Sequence, residues 1–208
     1  GGRPPQPPAS DEPKEEDQVS LSDEDSRIMP SHGGFEQSYN AQACVDADTH
    51  LIVGQHIRQQ PNDKQEVAVA LEGLKELPEQ LGQAQQLLAD TGYFSAANVD
   101  TAEANGLTPY IPESRQNHNE PLYGRFAPDP PPSPKPLSGV EAMRYRLRTR
   151  EGKAIYARRK STVETVFGII KEVQGFRQFL LRGLDAVGGE WSLVCIGWNL
   201  KRLHALKG

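Results

Sequence analysis

Two carboxylates in this sequence stand where a divalent metal ion could be held against a phosphodiester. Leu87-Leu88-Ala89-Asp90-Thr91-Gly92-Tyr93 is a short apolar run that ends on an acid and turns at once through glycine and an aromatic. That order puts the Asp90 carboxylate at the mouth of a strand, just before a helix begins. Ligand sites of open α/β sheets lie beyond strand carboxyl ends, although an Asp there also serves simply to cap the turn. Far along the chain, Glu164 lies in the basic run Arg158-Arg159-Lys160-Ser161-Thr162-Val163-Glu164-Thr165-Val166-Phe167-Gly168-Ile169-Ile170-Lys171. On a regular helix Lys160, Glu164, Gly168 and Lys171 share one face, with Val163, Phe167 and Ile170 on a neighbouring apolar one. The plain alternative is a solvated Lys160–Glu164 pair worth roughly a few tenths of a kcal/mol. The chemical reading has a carboxylate for metal, lysines for phosphate, and Gly168 leaving the backbone open to close approach. Asp90 and Glu164 are therefore the candidate ligands for Mg²⁺ or Mn²⁺.

The charge pattern supports a phosphate-bearing partner. The formal net charge is -5 over 208 residues, which argues mildly against nucleic acid. The distribution is uneven, however: acid is concentrated before Thr49, while Glu141 to Lys171 is rich in Arg and Lys. A local basic face matters for phosphates, not the global sign. Arg144, Arg146, Arg148, Arg150, Lys153, Arg158, Arg159 and Lys160 are dense enough to track a phosphate backbone rather than merely solvate a helix. Cys44 and Cys195 sit among apolar neighbours without ligand spacing, as buried thiols of a reducing compartment do. The five histidines show no metal-ligand spacing. With no apolar run of membrane-span length and no signal-peptide pattern, the expected location is cytoplasmic, without a membrane partner.

These side chains need elements to position them. Residues 1 to about 30 read as an acidic, Pro-rich disordered tail that cannot offset its chain entropy. Tyr39 to Asp46 and Leu51 to Ile57 form a β-hairpin with Tyr39, Ala41, Ala43 and Val45 on one face. An amphipathic helix follows over about 64 to 77, starting near Pro61-Asn62-Asp63. Then come a strand at 85–90, a helix at 95–105 ended by Gly106, and a strand at 108–111. Six prolines between Pro128 and Pro136 make residues 112–139 a linker or insertion. Helices are expected at about 140–153, 154–173 and 184–206, the last burying Trp191 and Trp198 in the core. The fold class is α/β, a mixed sheet flanked by helices.

In their combined order these segments resemble the C-terminal catalytic part of the DDE transposases of bacterial insertion sequences. The resemblance rests on Asp25-Ser26-Arg27-Ile28-Met29, Tyr39-Asn40-Ala41-Gln42-Ala43 with Val45-Asp46, and Ala89-Asp90-Thr91-Gly92-Tyr93. It continues through Pro109-Tyr110-Ile111-Pro112, Val163-Glu164-Thr165-Val166-Phe167-Gly168 with Lys171, Gly175 to Leu184, Glu190-Trp191-Ser192-Leu193, and Asn199-Leu200. It implies a ribonuclease-H-like domain over residues 31–208, two Mg²⁺ ions, and strand cleavage and transfer at transposon ends. It makes Asp90 the second and Glu164 the third catalytic carboxylate, and has Lys171 help position DNA near the third. Lys160, Arg158, Arg159, Arg177 and Arg182 would hold the phosphate backbone. The implied partners are transposon-end and target DNA, bound by a homo-oligomer, with the protein associated with the nucleoid. The family's first acid lies inside an apolar strand before the Tyr-Asn-Ala-Gln strand, and no such strand precedes Tyr39 here. The chain thus reads as truncated and lacking the first Asp, with Asp46 the weak substitute. A non-catalytic DNA-binding remnant is the alternative, and a scaffold module using the tryptophan helix a third reading.

Overall fold

The structure, a computed structural model, describes residues 20–31, 34–60, 63–114, 128–133 and 135–208. Most of the expected tail (1–19) and the middle of the Pro-rich segment (115–127) lie outside the described residues. Within the rest of that tail, β1 (Arg27–Ser31) pairs antiparallel with β2 (Gly34–Ser38). Order therefore begins earlier than composition suggests, because the acids just ahead of β1 are used as acceptors. Asp23 accepts the Tyr39 hydroxyl at 2.7 Å and the Gly183 N–H at 3.2 Å, and Asp25 accepts the Leu184 N–H at 2.9 Å.

The hairpin and the elements after it fall where periodicity places them. β3 (Asn40–Val45) runs antiparallel to β4 (Ile52–Arg58). α1 (Glu66–Lys75) follows, with Val67 and Leu71 buried. Its first residue, Glu66, is 2% exposed and bonds His56 Nε2 at 2.6 Å and Arg58 Nε at 3.3 Å, which ties α1 to β4. β5 (Gln86–Leu88), α2 (Ala96–Ala104) and β6 (Thr108–Tyr110) make a right-sized β-α-β unit with β5 parallel to β6. Ser95 caps α2 by accepting from the Asn98 N–H.

The sheet is not continuous. Among the described residues, three two-stranded ladders form, β1 with β2, β3 with β4, and β5 with β6. The chain is thus mixed α/β with small sheets.

After the Pro-rich segment the two expected helices, at 140–153 and 154–173, form with the break between them earlier, at 147–149. α3 (Gly139–Arg146) stops, and α4 (Arg150–Arg159) starts on a Thr149 cap whose hydroxyl accepts from the Gly152 N–H. The corner is locked because Thr149 also donates to the Arg146 carbonyl at 2.7 Å. A Cβ on Gly152 would sit 1.9 Å from that same oxygen. Helix then continues through one wide i→i+5 turn, Lys160–Glu164, into α5 (Thr165–Glu172). α6 (Leu184–Lys207) closes the chain.

One core cluster joins the hairpin's apolar face (Ala41, Ala43, Val45, Ile52) to Val166 and Ile170 of α5 and to Trp191, Cys195 and Trp198 of α6. Trp191 is 2% exposed, stacks on Phe167 at 5.6 Å and donates its indole N–H to the Gln42 carbonyl at 3.0 Å. The tryptophans are core, as their spacing indicates. A second cluster holds Val99, Tyr110, Ile111, Met143 and Leu147. Burial pushes the Cys44 thiol up to about 11 and that of Cys195 to about 12. No helix among the described residues is long and apolar enough to cross a membrane.

Candidate active site

Asp90 follows β5 directly and caps the single 3₁₀ turn Thr91–Tyr93, with Oδ1 accepting the Gly92 N–H at 2.8 Å. The bland capping role expected of an Asp at this position is therefore real. It leaves the carboxylate's other oxygen available, because one N–H occupies only one of its roughly four lone-pair sites. Gly92 is needed here for space: a Cβ would meet Asp90 Oδ1 at 3.0 Å and Asp63 Oδ2 at 3.2 Å. The Asp63 and Asp90 carboxylates thus crowd the same residue.

Glu164 ends the wide turn and is 54% exposed. Sequence spacing on a straight helix pairs it with Lys160. Lys160–Glu164 is itself the wide turn, and an i,i+5 pair forms across it: Arg159 Nη2 donates to Glu164 Oε1 at 2.9 Å. Wide turns of this kind insert one residue without breaking a helix and occur often at functional sites. Arg159 also lies over the Tyr156 ring, 5.9 Å from its centroid. Burial raises the Tyr156 pKa, Arg159 pulls it down, and both the Asp90 and Glu164 carboxylates push it up. Tyr156 is accordingly a side chain whose hydroxyl both acids, distant in sequence, perturb.

Among the described residues, Asp46 makes its side-chain hydrogen bonds elsewhere. Its Oδ2 accepts the Thr49 N–H at 2.8 Å and the Thr49 hydroxyl at 2.5 Å, closing the hairpin turn. Burial alone would raise its pKa, but Thr49, the Asp48 N–H and Arg158 outweigh it and hold the carboxyl below the usual range. The structure gives Asp46 a turn-closing task.

The basic side chains are exposed or partly exposed, and several have acidic or carbonyl neighbours. Arg158 pairs with Asp48, anchoring α4 to the hairpin turn, and Arg177 pairs with Glu172. Arg182 donates to the Ser22 carbonyl at 3.4 Å. Lys160 and Lys171 are exposed on the helix that carries Glu164, and open space lies over Gly168 between them. Exposed ion pairs are worth about 0–1 kcal/mol, so these arginines can exchange a carboxylate for a phosphate at little cost. Two members of the basic set are paired with acids from other parts of the chain. Arg144 clamps Glu113 through two bonds of 2.9 and 2.7 Å, and Arg146 reaches Glu103 and the Tyr110 ring.

Sequence reasoning missed Asn40, Gln42, Asp63 and Tyr156. Asn40 and Gln42 carried a signal, two amides at i and i+2 on the strand face opposite Ala41 and Ala43. Asp63 was read only as a helix start.

The donor set suits a hard cation: carboxylate oxygens on Asp90 and Glu164, with Asp63 beside the first. Mg²⁺ commonly takes one or two carboxylates and completes its shell with water and phosphate. Among the described residues, no group of three His, Cys, Asp or Glu side chains is close enough to hold a metal ion together.

A family model described as the transposase DDE domain matches residues 13–200. No curated protein and no solved structure matches the chain.

Proposed function

The chain belongs to the transposase DDE domain family, and from this premise we propose that it cuts and joins DNA strands at transposon ends with a divalent metal. The observation that carries the reading is the family match over residues 13–200, within which Asp90 and Glu164 both raise the pKa of the same side chain, Tyr156. Asp90, fixed by its bond to the Gly92 N–H, and Glu164, presented at the end of the wide turn, would hold Mg²⁺ or Mn²⁺. When bound, the metal supplies activation of the attacking oxygen and stabilisation of the leaving one. Arg159 keeps Glu164 in place in the free protein. Lys171 and Lys160 on the same helix, with Arg158, Arg177 and Arg182, hold the phosphate backbone near the acids.

The fold in this reading is ribonuclease-H-like. An antiparallel hairpin, a parallel strand pair linked by a helix, and flanking helices support it. β3 and β5 each have a single hydrogen-bonded neighbour among the described residues, which leaves an edge on each for a further strand carrying the family's first acid.

Plasmid nicking in Mg²⁺ tests the proposal. The expected result is nicking by the chain that disappears in Asp90→Ala and in Glu164→Ala; nicking that persists in both variants overturns it. A second reading, a DNA-binding remnant without turnover, is favoured by the two-acid composition of the site among the described residues. It predicts salt-dependent DNA binding with no nicking under any metal.

A further inference from the structure

Asp90 stands on a turn of three residues, and the structure shows what holds that turn. Gln42 is 7% exposed and spends every hydrogen-bonding group of its amide. Nε2 donates to Asp63 Oδ1 at 2.8 Å and to Asn40 Oδ1 at 2.8 Å, and Oε1 accepts the Tyr93 hydroxyl. Asn40 Nδ2 donates to the same Asp63 oxygen at 2.8 Å. The amide of Gln42 has one possible orientation, since a flip would set its oxygen against two acceptors.

Asn98 repeats the arrangement from the other side. It is 5% exposed, and its Nδ2 donates to the Lys64 carbonyl at 2.8 Å and to the Tyr93 carbonyl at 2.6 Å. Two buried amides, one from β3 and one from α2, therefore both bridge the 63–64 segment to Tyr93. Tyr93 closes the turn that begins at Asp90, its N–H bonding the Asp90 carbonyl at 3.2 Å.

We infer that Gln42 and Asn98 are positioning residues for Asp90. They clamp Tyr93 and Asp63 together, so that the Asp90 turn cannot rotate its carboxylate away. The clamp matters because the Asp63 and Asp90 carboxylates flank Gly92 with like charge, and repulsion would otherwise open the turn. Asp63 is held by two amide donors on Oδ1, which fixes its other oxygen beside Gly92. Groups that orient a metal-binding side chain typically change metal affinity by about 10–100-fold when removed. The inference rests on the reading of Asp90 as a metal ligand for its purpose, but the clamp itself can be measured without metal.

The test compares Tyr93→Phe, which removes one hydroxyl, with Val187→Ala, which truncates a buried side chain on α6. Both proteins, as full 208-residue chains, are measured by amide hydrogen exchange at Gly92 and by Mn²⁺ titration. The expected result is exchange at Gly92 faster by about tenfold in Tyr93→Phe, with Mn²⁺ affinity lower by about tenfold, and neither change in Val187→Ala. Unchanged Gly92 exchange in Tyr93→Phe, or equal acceleration in Val187→Ala, overturns the clamp. Faster exchange with Mn²⁺ affinity that is insensitive to both Tyr93→Phe and Asp90→Asn leaves the clamp standing and sinks the metal reading of Asp90.

Discussion

Arg159 and Glu164 are joined at 2.9 Å across five residues of helix. A regular helix brings i and i+4 together; here the wide turn Lys160–Glu164 brings i and i+5 together as well. The acid that is to hold metal is thereby held by a guanidinium, and that guanidinium is braced on Tyr156.

A cation 2.9 Å from a ligand oxygen both occupies a lone pair and repels an incoming metal. Arg159→Ala is expected to tighten Mn²⁺ binding several-fold while weakening DNA binding. Isothermal titration reads the first and a filter-binding assay the second; looser Mn²⁺ binding would show that Arg159 orients Glu164 rather than competing for it.

Gly152→Ala should lower unfolding free energy by about 1–3 kcal/mol, since the added methyl would lie 1.9 Å from the Arg146 carbonyl oxygen. Urea denaturation measures this. A cost near zero would mean that the α3–α4 corner opens freely.

Asp46 is held below the usual 3.8 of an aspartate, burial being outweighed by Thr49, the Asp48 N–H and Arg158. A depressed folded pKa contributes stability that is full above the unfolded value and is lost as pH falls through the folded one. Asp46→Asn should therefore flatten the fall of stability below pH 3.8, and leave Mg²⁺-dependent nicking in place. Loss of nicking in this variant would return Asp46 to the active site.

Each lysine or arginine that meets a phosphate should contribute close to one unit of salt slope. Lys171→Ala and Arg177→Ala are expected each to shallow the slope of log affinity against log salt by about 0.9. Arg144→Ala, whose guanidinium is clamped on Glu113, should leave the slope unchanged.

Much of this architecture was legible in the sequence. The hairpin, α1, α2 and the tryptophan helix announce themselves because apolar residues recur at periods of 2 or 3.6, and Asp90 is recognisable from the apolar run that delivers it. What escaped depends on contacts between distant segments. β1 lies in a run dominated by acids and proline, and its order comes from Asp23 and Asp25 binding Tyr39, Gly183 and Leu184. The α3–α4 corner turns on Thr149 and Gly152 packing at one carbonyl, and the wide turn at 160–164 has no periodic signature at all. For the same reason Gln42 and Asp63 looked like ordinary strand and helix-start residues, although together they hold the turn that carries Asp90.

The central claim is that Asp90 and Glu164 hold one divalent ion between them, and Mn²⁺ binding followed by electron paramagnetic resonance tests it most directly. The account predicts saturable Mn²⁺ binding by the chain, weakened at least tenfold in Asp90→Asn and in Glu164→Gln alike. Identical Mn²⁺ affinity in the chain and in the Asp90→Asn, Glu164→Gln double variant would contradict it.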